Sequence, residues 1–202
     1  MKKFYILFFV VNLLLSSWFL DTWNNANTTS RALPIVSWFE NGNLRIDKYH
    51  ELTQDKAKIG DHYYTDKAPL PTLVTIPFYG LIKKLGWVDE TNQDGPGKEV
   101  YILGSFLFGS IIYSVLLLLT LINLPQKKPS IAPAILVMMP FYGSFVFVYS
   151  GTFYAHLASS LFVVLGYLMI RKRQFLFAGI FTGLGFLCEY TVALFFPVWA
   201  LQ

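Results

Sequence analysis

Of the side chains able to carry charge, protons or a metal within positions 47–67, ten form the densest constellation: Asp47, Tyr49, His50, Asp55, Asp61, His62, Tyr63, Tyr64, Asp66 and Lys67. Such a set suits group transfer on a phosphate-bearing substrate. A carboxylate can take the proton of an attacking hydroxyl, while Lys67 or Arg31 can neutralise charge growing on a departing phosphate. Two blander readings stand beside it. A solvated loop carries charge for solubility alone, and residue types do not separate that from a site. His50 with Asp47 or Asp55, and His62 with Asp61 or Asp66, could hold a divalent metal, although no helix-spaced HxxxH or comparable ligand set is present.

The chain that must position this cluster is patterned for lipid. Of its 202 residues 54% are apolar, 18% aromatic and 14% charged, against roughly 25% charged in soluble domains. The apolar residues gather in long uncharged runs, which predict spans at 4–20, 100–122, 131–149, 152–170 and 175–201. Lys2 and Lys3, Lys127 and Lys128, and Arg171, Lys172 and Arg173 lie in the short segments between them. By the positive-inside rule these segments and the N-terminus are cytoplasmic, and residues 21–99 form a long outer loop. The net charge of +4 is thus a topology signal and gives no reason to expect nucleic acid. The predicted fold is all-α: a polytopic helical membrane protein with a single membrane domain over 1–202 and interfacial helices in its first outer loop. Ser16, Ser17 and Trp18 make a poor cleavage site, so the first run is read as an uncleaved span. Cys188, the lone cysteine, excludes an internal disulfide or cysteine cluster.

The loop holds eleven of the twelve acidic residues and nine of the sixteen basic ones. Asn27, Thr28, Thr29 and Ser30 are helix-cap types, and Gly42 is a stop, so a surface helix is expected over about 29–41. Residues 68–85, ending near Lys83 and Lys84, are expected to lie along the membrane interface. Residues 88–98 read as a mobile acidic turn. In the apolar segments, Pro140 and Gly143 predict a kink, Gly179 and Gly183 a close helix approach, and Ser150, Gly151 and Thr152 an outer turn. Glu189 is a lone charge in an apolar segment. It is a functional candidate by default, or else a hydrogen-bonded residue at a broken helix end. His156, just after the turn, reads as a packing or cap residue.

Three stretches in order, Asn27-Thr28-Thr29-Ser30-Arg31, Asn41-Gly42-Asn43-Leu44-Arg45-Ile46-Asp47 and Gly60-Asp61-His62-Tyr63-Tyr64-Thr65-Asp66-Lys67-Ala68-Pro69, resemble bacterial GT-C glycosyltransferases. This superfamily includes protein O-mannosyltransferases and lipid A aminoarabinose transferases. Asp66-Lys67-Ala68-Pro69 looks like its acidic-Lys-Pro element, which lies near the donor phosphate, with one residue inserted before the proline. The resemblance implies an integral enzyme of the bacterial cell membrane. It would transfer a sugar from a polyprenyl-phosphate donor to an acceptor at the outer face, with inversion. Lys67 would then stabilise the leaving phosphate with Arg31 as a second cation, and Tyr64, His62, Asp47 and Glu189 are further substrate-binding candidates. The family's usual Asp or Asp-Glu before the arginine is replaced here by Asn27, Thr28 and Thr29. Amides and hydroxyls are poor bases, so the base is sought at Asp55 first, then Asp66, then Asp21. More weakly, Tyr154, His156, Glu189 and Tyr190 match positions at span starts or breaks. Because such enzymes have more spans and a further domain, the chain is also read as an N-terminal portion. The alternative is a non-catalytic membrane protein that binds a lipid phosphate or assembles with a larger complex. A transporter would need paired ionisable residues deep in the spans.

Overall fold

Two backbone interruptions, at Gly143 and at Glu189, divide the apolar C-terminal half of the chain and give the fold its character. The computed structural model describes residues 2–20, 22, 25–89, 95–125 and 128–200. Asp21, the middle of the expected acidic turn and part of the basic turn before residue 131 therefore lie outside the described residues. Ten helices, α1 Lys2–Ser17, α2 Ala26–Asn41, α3 Leu70–Lys84, α4 Lys98–Ser105, α5 Ile111–Asn123, α6 Ile131–Tyr142, α7 Val146–Tyr149, α8 His156–Arg171, α9 Phe175–Cys188 and α10 Phe195–Ala200, account for most of the described chain. With 72% helix and 4% strand, the fold is all-α.

α4 and α5 are one rod. The π-turn Phe106–Ser110 joins them, and the 26 residues Lys98–Asn123 form the one described helix long and apolar enough, by length and composition, to cross a membrane. At 1.5 Å per residue it extends about 39 Å. α6, α8 and α9 are shorter apolar helices. The expected kink in 131–149 is a full break: α6 contains Pro140 and ends at Gly143, whose N–H bonds the Met139 carbonyl at 2.8 Å. The last segment also breaks. α9 stops at Cys188, Glu189 is extended (φ −148°, ψ 121°), and a 3-10 turn Tyr190–Leu194 leads into α10.

Two apolar clusters hold these helices. Phe8, Tyr113, Leu117, Leu121, Val137 and Leu161 join α1, α5, α6 and α8. Ile35, Tyr79, Val100, Phe108, Phe153 and Cys188 fasten α2 and α3 to the other helices. The first loop is therefore packed down as part of the core. α2 is no surface helix: residues Thr28 to Ile35 are all buried. It also begins three residues earlier than expected, because Asn25 is the cap. The Asn25 side chain accepts from the Asn27 and Thr28 N–H groups at 3.0 and 3.1 Å, while Thr28 Oγ1 accepts from the Asn25 N–H at 3.3 Å. Asn27 to Arg31 are thereby freed to face inward. At the other end Gly42 takes φ 67° and closes the helix on the Trp38 carbonyl at 3.0 Å, as foreseen.

Between α2 and α3 lies a feature not anticipated, a hairpin of β1 Lys56–Ile59 and β2 His62–Thr65 preceded by a 3-10 turn Asp47–Leu52. Ile59 pairs with His62 across the two-residue turn Gly60-Asp61, with Gly60 at φ 62°. α3 packs its Pro71, Thr72, Thr75 and Tyr79 face inward and exposes Leu73, Phe78 and Leu81.

Close helix approach occurs elsewhere than expected. A Cβ on Gly179 or Gly183 would meet nothing within 4 Å. A Cβ on Gly151 would collide with the Phe19 carbonyl, and one on Gly109, inside the π-turn, with the Ser150 carbonyl. Ser110 Oγ donates to that same carbonyl at 3.0 Å, so the turn at 150–152 is buried against the rod. Gly151→Ala should destabilise by about 1–3 kcal/mol, the range for overpacking against atoms that cannot yield. Gly179→Ala should stabilise by up to about 1 kcal/mol through helix propensity. Thermal unfolding followed by circular dichroism gives both signs; a destabilised Gly179→Ala would mean that the open face is packed.

Candidate active site

α2 carries the centre of the site because its inward-facing turn is polar. Ser30 Oγ donates to the Asp55 carbonyl at 2.5 Å and lies 2.7 Å from Thr65 Oγ1. Thr72 Oγ1 donates to the Arg31 carbonyl at 2.9 Å, and Thr29 Oγ1 lies 3.2 Å from the Tyr101 hydroxyl. These contacts fix the strand that leads to Lys67, the start of α3 and the start of the long rod around one helical turn.

Arg31 is 1% exposed. Its Nε donates to Asn27 Oδ1 at 3.1 Å, Nη1 to the Ala68 carbonyl at 3.5 Å, and Nη2 to Glu189 Oε1 at 2.9 Å. Burial pulls the guanidinium below its ordinary pKa, opposed chiefly by Glu189. Arginine starts so high that it stays charged. Rather than offering a free cation, Arg31 ties the first loop to the break in the last apolar segment. Glu189 occupies that broken helix end, one of the two placements its lone charge allowed.

Lys67 lies on the other side of Ala68. Its Nζ is 2.9 Å from Asp55 Oδ2 and 3.2 Å from Asp66 Oδ1, and the side chain is 18% exposed. Partial burial lowers its pKa, but the hydrogen bonds it donates to Asp55 and Asp66 outweigh that and raise it above its ordinary value. A raised lysine contributes stability fully below about pH 10.4 and loses it only as pH climbs through the higher folded value. Asp66 also acts electrostatically on Arg31, so Asp55, Lys67, Asp66, Arg31 and Glu189 form one series of alternating charge.

The remaining candidates lie apart on the hairpin. His62 Nδ1 pairs with Asp47 Oδ2 at 2.8 Å, and His50 Nδ1 with Glu51 Oε1 at 2.8 Å. Neither is among the pairings read from the sequence: the 3-10 turn folds Asp47 under β2, where it meets His62, and leaves His50 to its neighbour Glu51. His50 stacks on Tyr63 with ring centres 4.0 Å apart. Tyr64 is half-buried on β2 opposite Ala57, and Asp61 is an exposed turn residue. Among the described residues no group of three or more His, Cys, Asp or Glu side chains is placed to hold a metal ion.

Asp47 pins the hairpin. The Tyr63 N–H donates to its Oδ1 at 2.6 Å, and this bond, followed by His62, holds the carboxyl below its ordinary pKa. A depressed carboxyl contributes stability above its unfolded pKa of about 3.9 and loses it as pH falls through the folded value. Protection of the β2 amides against hydrogen exchange, taken relative to the intrinsic rate at each pH, should therefore fall on acidification below about pH 4. Asp47→Asn should show the lower protection at neutral pH with a flatter acid response. An unchanged wild-type profile would mean that Asp47 does not hold the hairpin.

Sequence reasoning passed over Asn27 and the Ala68 carbonyl as Arg31 ligands and ranked His156 as packing. Its Nδ1 in fact lies 3.5 Å from Glu189 Oε1. The sequence signals were its place just after the turn and its weak match, together with Glu189, to span starts or breaks in the resembled family. Comparison with protein-family models, curated proteins and solved structures finds no match to this chain.

Proposed function

We propose that this chain is a polytopic membrane protein that acts as a GT-C-like glycosyltransferase, passing a sugar from a polyprenyl-phosphate donor to an acceptor at the outer face of the cell membrane with inversion. The observation that carries this reading is Lys67, a partly exposed cation held between Asp55 and Asp66. It sits in the Asp-Lys-Ala-Pro element, beside helices that reach into the apolar body. A polyprenyl tail keeps its phosphate at headgroup level, where a loop packed on the ends of apolar helices would meet it. Asp55 and Asp66 orient Lys67 for that phosphate, and Arg31 with Glu189 holds the loop in place. The N-terminus is cytoplasmic in this reading.

A second reading is favoured by Asn27. An amide lies against Arg31 Nε where the resemblance leads one to expect a carboxylate, which fits a membrane protein that binds lipid phosphate without transferring sugar. Membranes expressing the chain, given a panel of radiolabelled polyprenyl-phosphate sugars, should release label from at least one donor. Retention of a donor with no release from any would replace the enzyme with the lipid-binding protein.

A further inference from the structure

Glu189 Oε1 receives Arg31 from one side and faces His156 Nδ1 at 3.5 Å on the other. The imidazole is the first residue of α8, and its side chain is 45% exposed. Its ring lies parallel to Tyr154 (centres 5.5 Å apart, 11° between planes) and edge-on to Tyr149 at 5.0 Å. Two aromatic neighbours and one carboxylate thus set the plane of the ring. A carboxylate facing Nδ1 selects the tautomer protonated there and leaves the Nε2 lone pair free, the arrangement by which a carboxylate readies an imidazole as a base. Catalytic hydrogen bonds are often long before substrate binds, so 3.5 Å is within working range.

Asp55 and Asp66 are placed differently. Both lie within 3.2 Å of the Lys67 ammonium, on the side where a departing phosphate must be neutralised. Inversion requires the acceptor to enter on the opposite face of the anomeric carbon, with its base on that face. Arg31 separates the two groups, one prong toward the Ala68 carbonyl next to Lys67 and the other toward Glu189.

We infer that His156, oriented by Glu189, is the general base for the acceptor in the glycosyl transfer proposed above, on which this assignment rests. The acceptor hydroxyl proton passes to His156 Nε2 as the acceptor oxygen bonds to the anomeric carbon. The bond from that carbon to the phosphate oxygen breaks, and its electron pair leaves with the phosphate beside Lys67. His156 is the catalytic residue and Glu189 a positioning residue. The assignment supplies the base that Asn27, Thr28 and Thr29 cannot.

The test uses the full chain and whichever radiolabelled polyprenyl-phosphate sugar the wild type turns over. His156→Gln should lower transfer by roughly 10²–10⁴-fold with donor KM within about threefold, and added imidazole should partly restore His156→Ala. Glu189→Asp should keep more activity than Glu189→Gln. Independently of turnover, ¹⁵N NMR of the histidine-labelled chain, which has three histidines, should show neutral His156 protonated on Nδ1. Glu189→Gln should abolish that preference. Full transfer by His156→Gln, or an Nε2-protonated His156 in the wild type, overturns the inference. So does loss of transfer in Asp55→Asn while His156→Gln stays active, which returns the base to the loop. Wild-type turnover in these last cases leaves the glycosyltransferase reading intact, whereas release from no donor removes that reading and the role of His156 with it.

Discussion

Arg31→Leu should cost about 3 kcal/mol of stability, and Glu189→Leu a similar amount, while the double replacement recovers most of the loss. Removing one partner of a buried ion pair leaves the other charge without compensation, at roughly 3–5 kcal/mol, whereas replacing both with apolar residues is often close to neutral. The low end applies because Glu189 keeps 22% of its side chain exposed. Arg31→Leu also strands Asn27 Oδ1 and the Ala68 carbonyl, a cost that the double replacement keeps, so its recovery is of the ion-pair share alone. Thermal unfolding of the two single variants and the double variant gives the coupling. Additive losses would mean that the two side chains act independently and that the loop is held by apolar packing alone.

The second large effect falls on the proposed glycosyl transfer. Lys67→Ala should reduce transfer by about 10²–10³, the usual consequence of losing a donor aimed at developing charge. Donor affinity should also drop by roughly tenfold or more, since a hydrogen bond to a charged group is worth about 1.5–3 kcal/mol. It further leaves the Asp55 and Asp66 carboxylates, each within 3.2 Å of the lost ammonium, without their shared cation. Lys67→Arg keeps the charge and should retain binding better than turnover, because a flat guanidinium does not occupy the point position of an ammonium. Equilibrium binding of a polyprenyl-phosphate sugar and the transfer rate, measured on the same membranes, separate the two losses. Donor binding indifferent to Lys67→Ala would move the phosphate seat away from this residue.

Much of the helical layout was legible because uncharged runs and basic turns are local signals. The expected apolar segments start and stop within a few residues of α1, the Lys98–Asn123 rod and α8, whereas the one at 131–149 starts with α6 but is broken after Tyr142. What escaped was set by tertiary contact. Gly60-Asp61 is a two-residue hairpin turn of recognised type, yet Lys56, Ala57 and Lys58 have weak strand preference, so the alternation that would reveal β1 is absent. Gly179 and Gly183 have the spacing of a packing motif, but spacing does not say which side of a helix finds a neighbour. For the site, Lys67 and Asp66 were readable from adjacency, and Asp55 was ranked first as a base with no signal that it would pair with Lys67. The partners of His62 and Glu189, 15 and 158 positions distant, are joined by folding alone.

That last separation has a consequence for how the protein is made. At roughly 5–20 residues per second, the ribosome adds Glu189 about 8–30 s after Arg31, given their spacing of 158 residues. During that interval the guanidinium has no carboxylate from the last segment to receive it, so α2 cannot settle into its final seat. The nascent loop must wait without this ion pair until Glu189 emerges. Stalling synthesis between residues 171 and 189 should therefore leave the loop open to protease although every one of its own residues is already present.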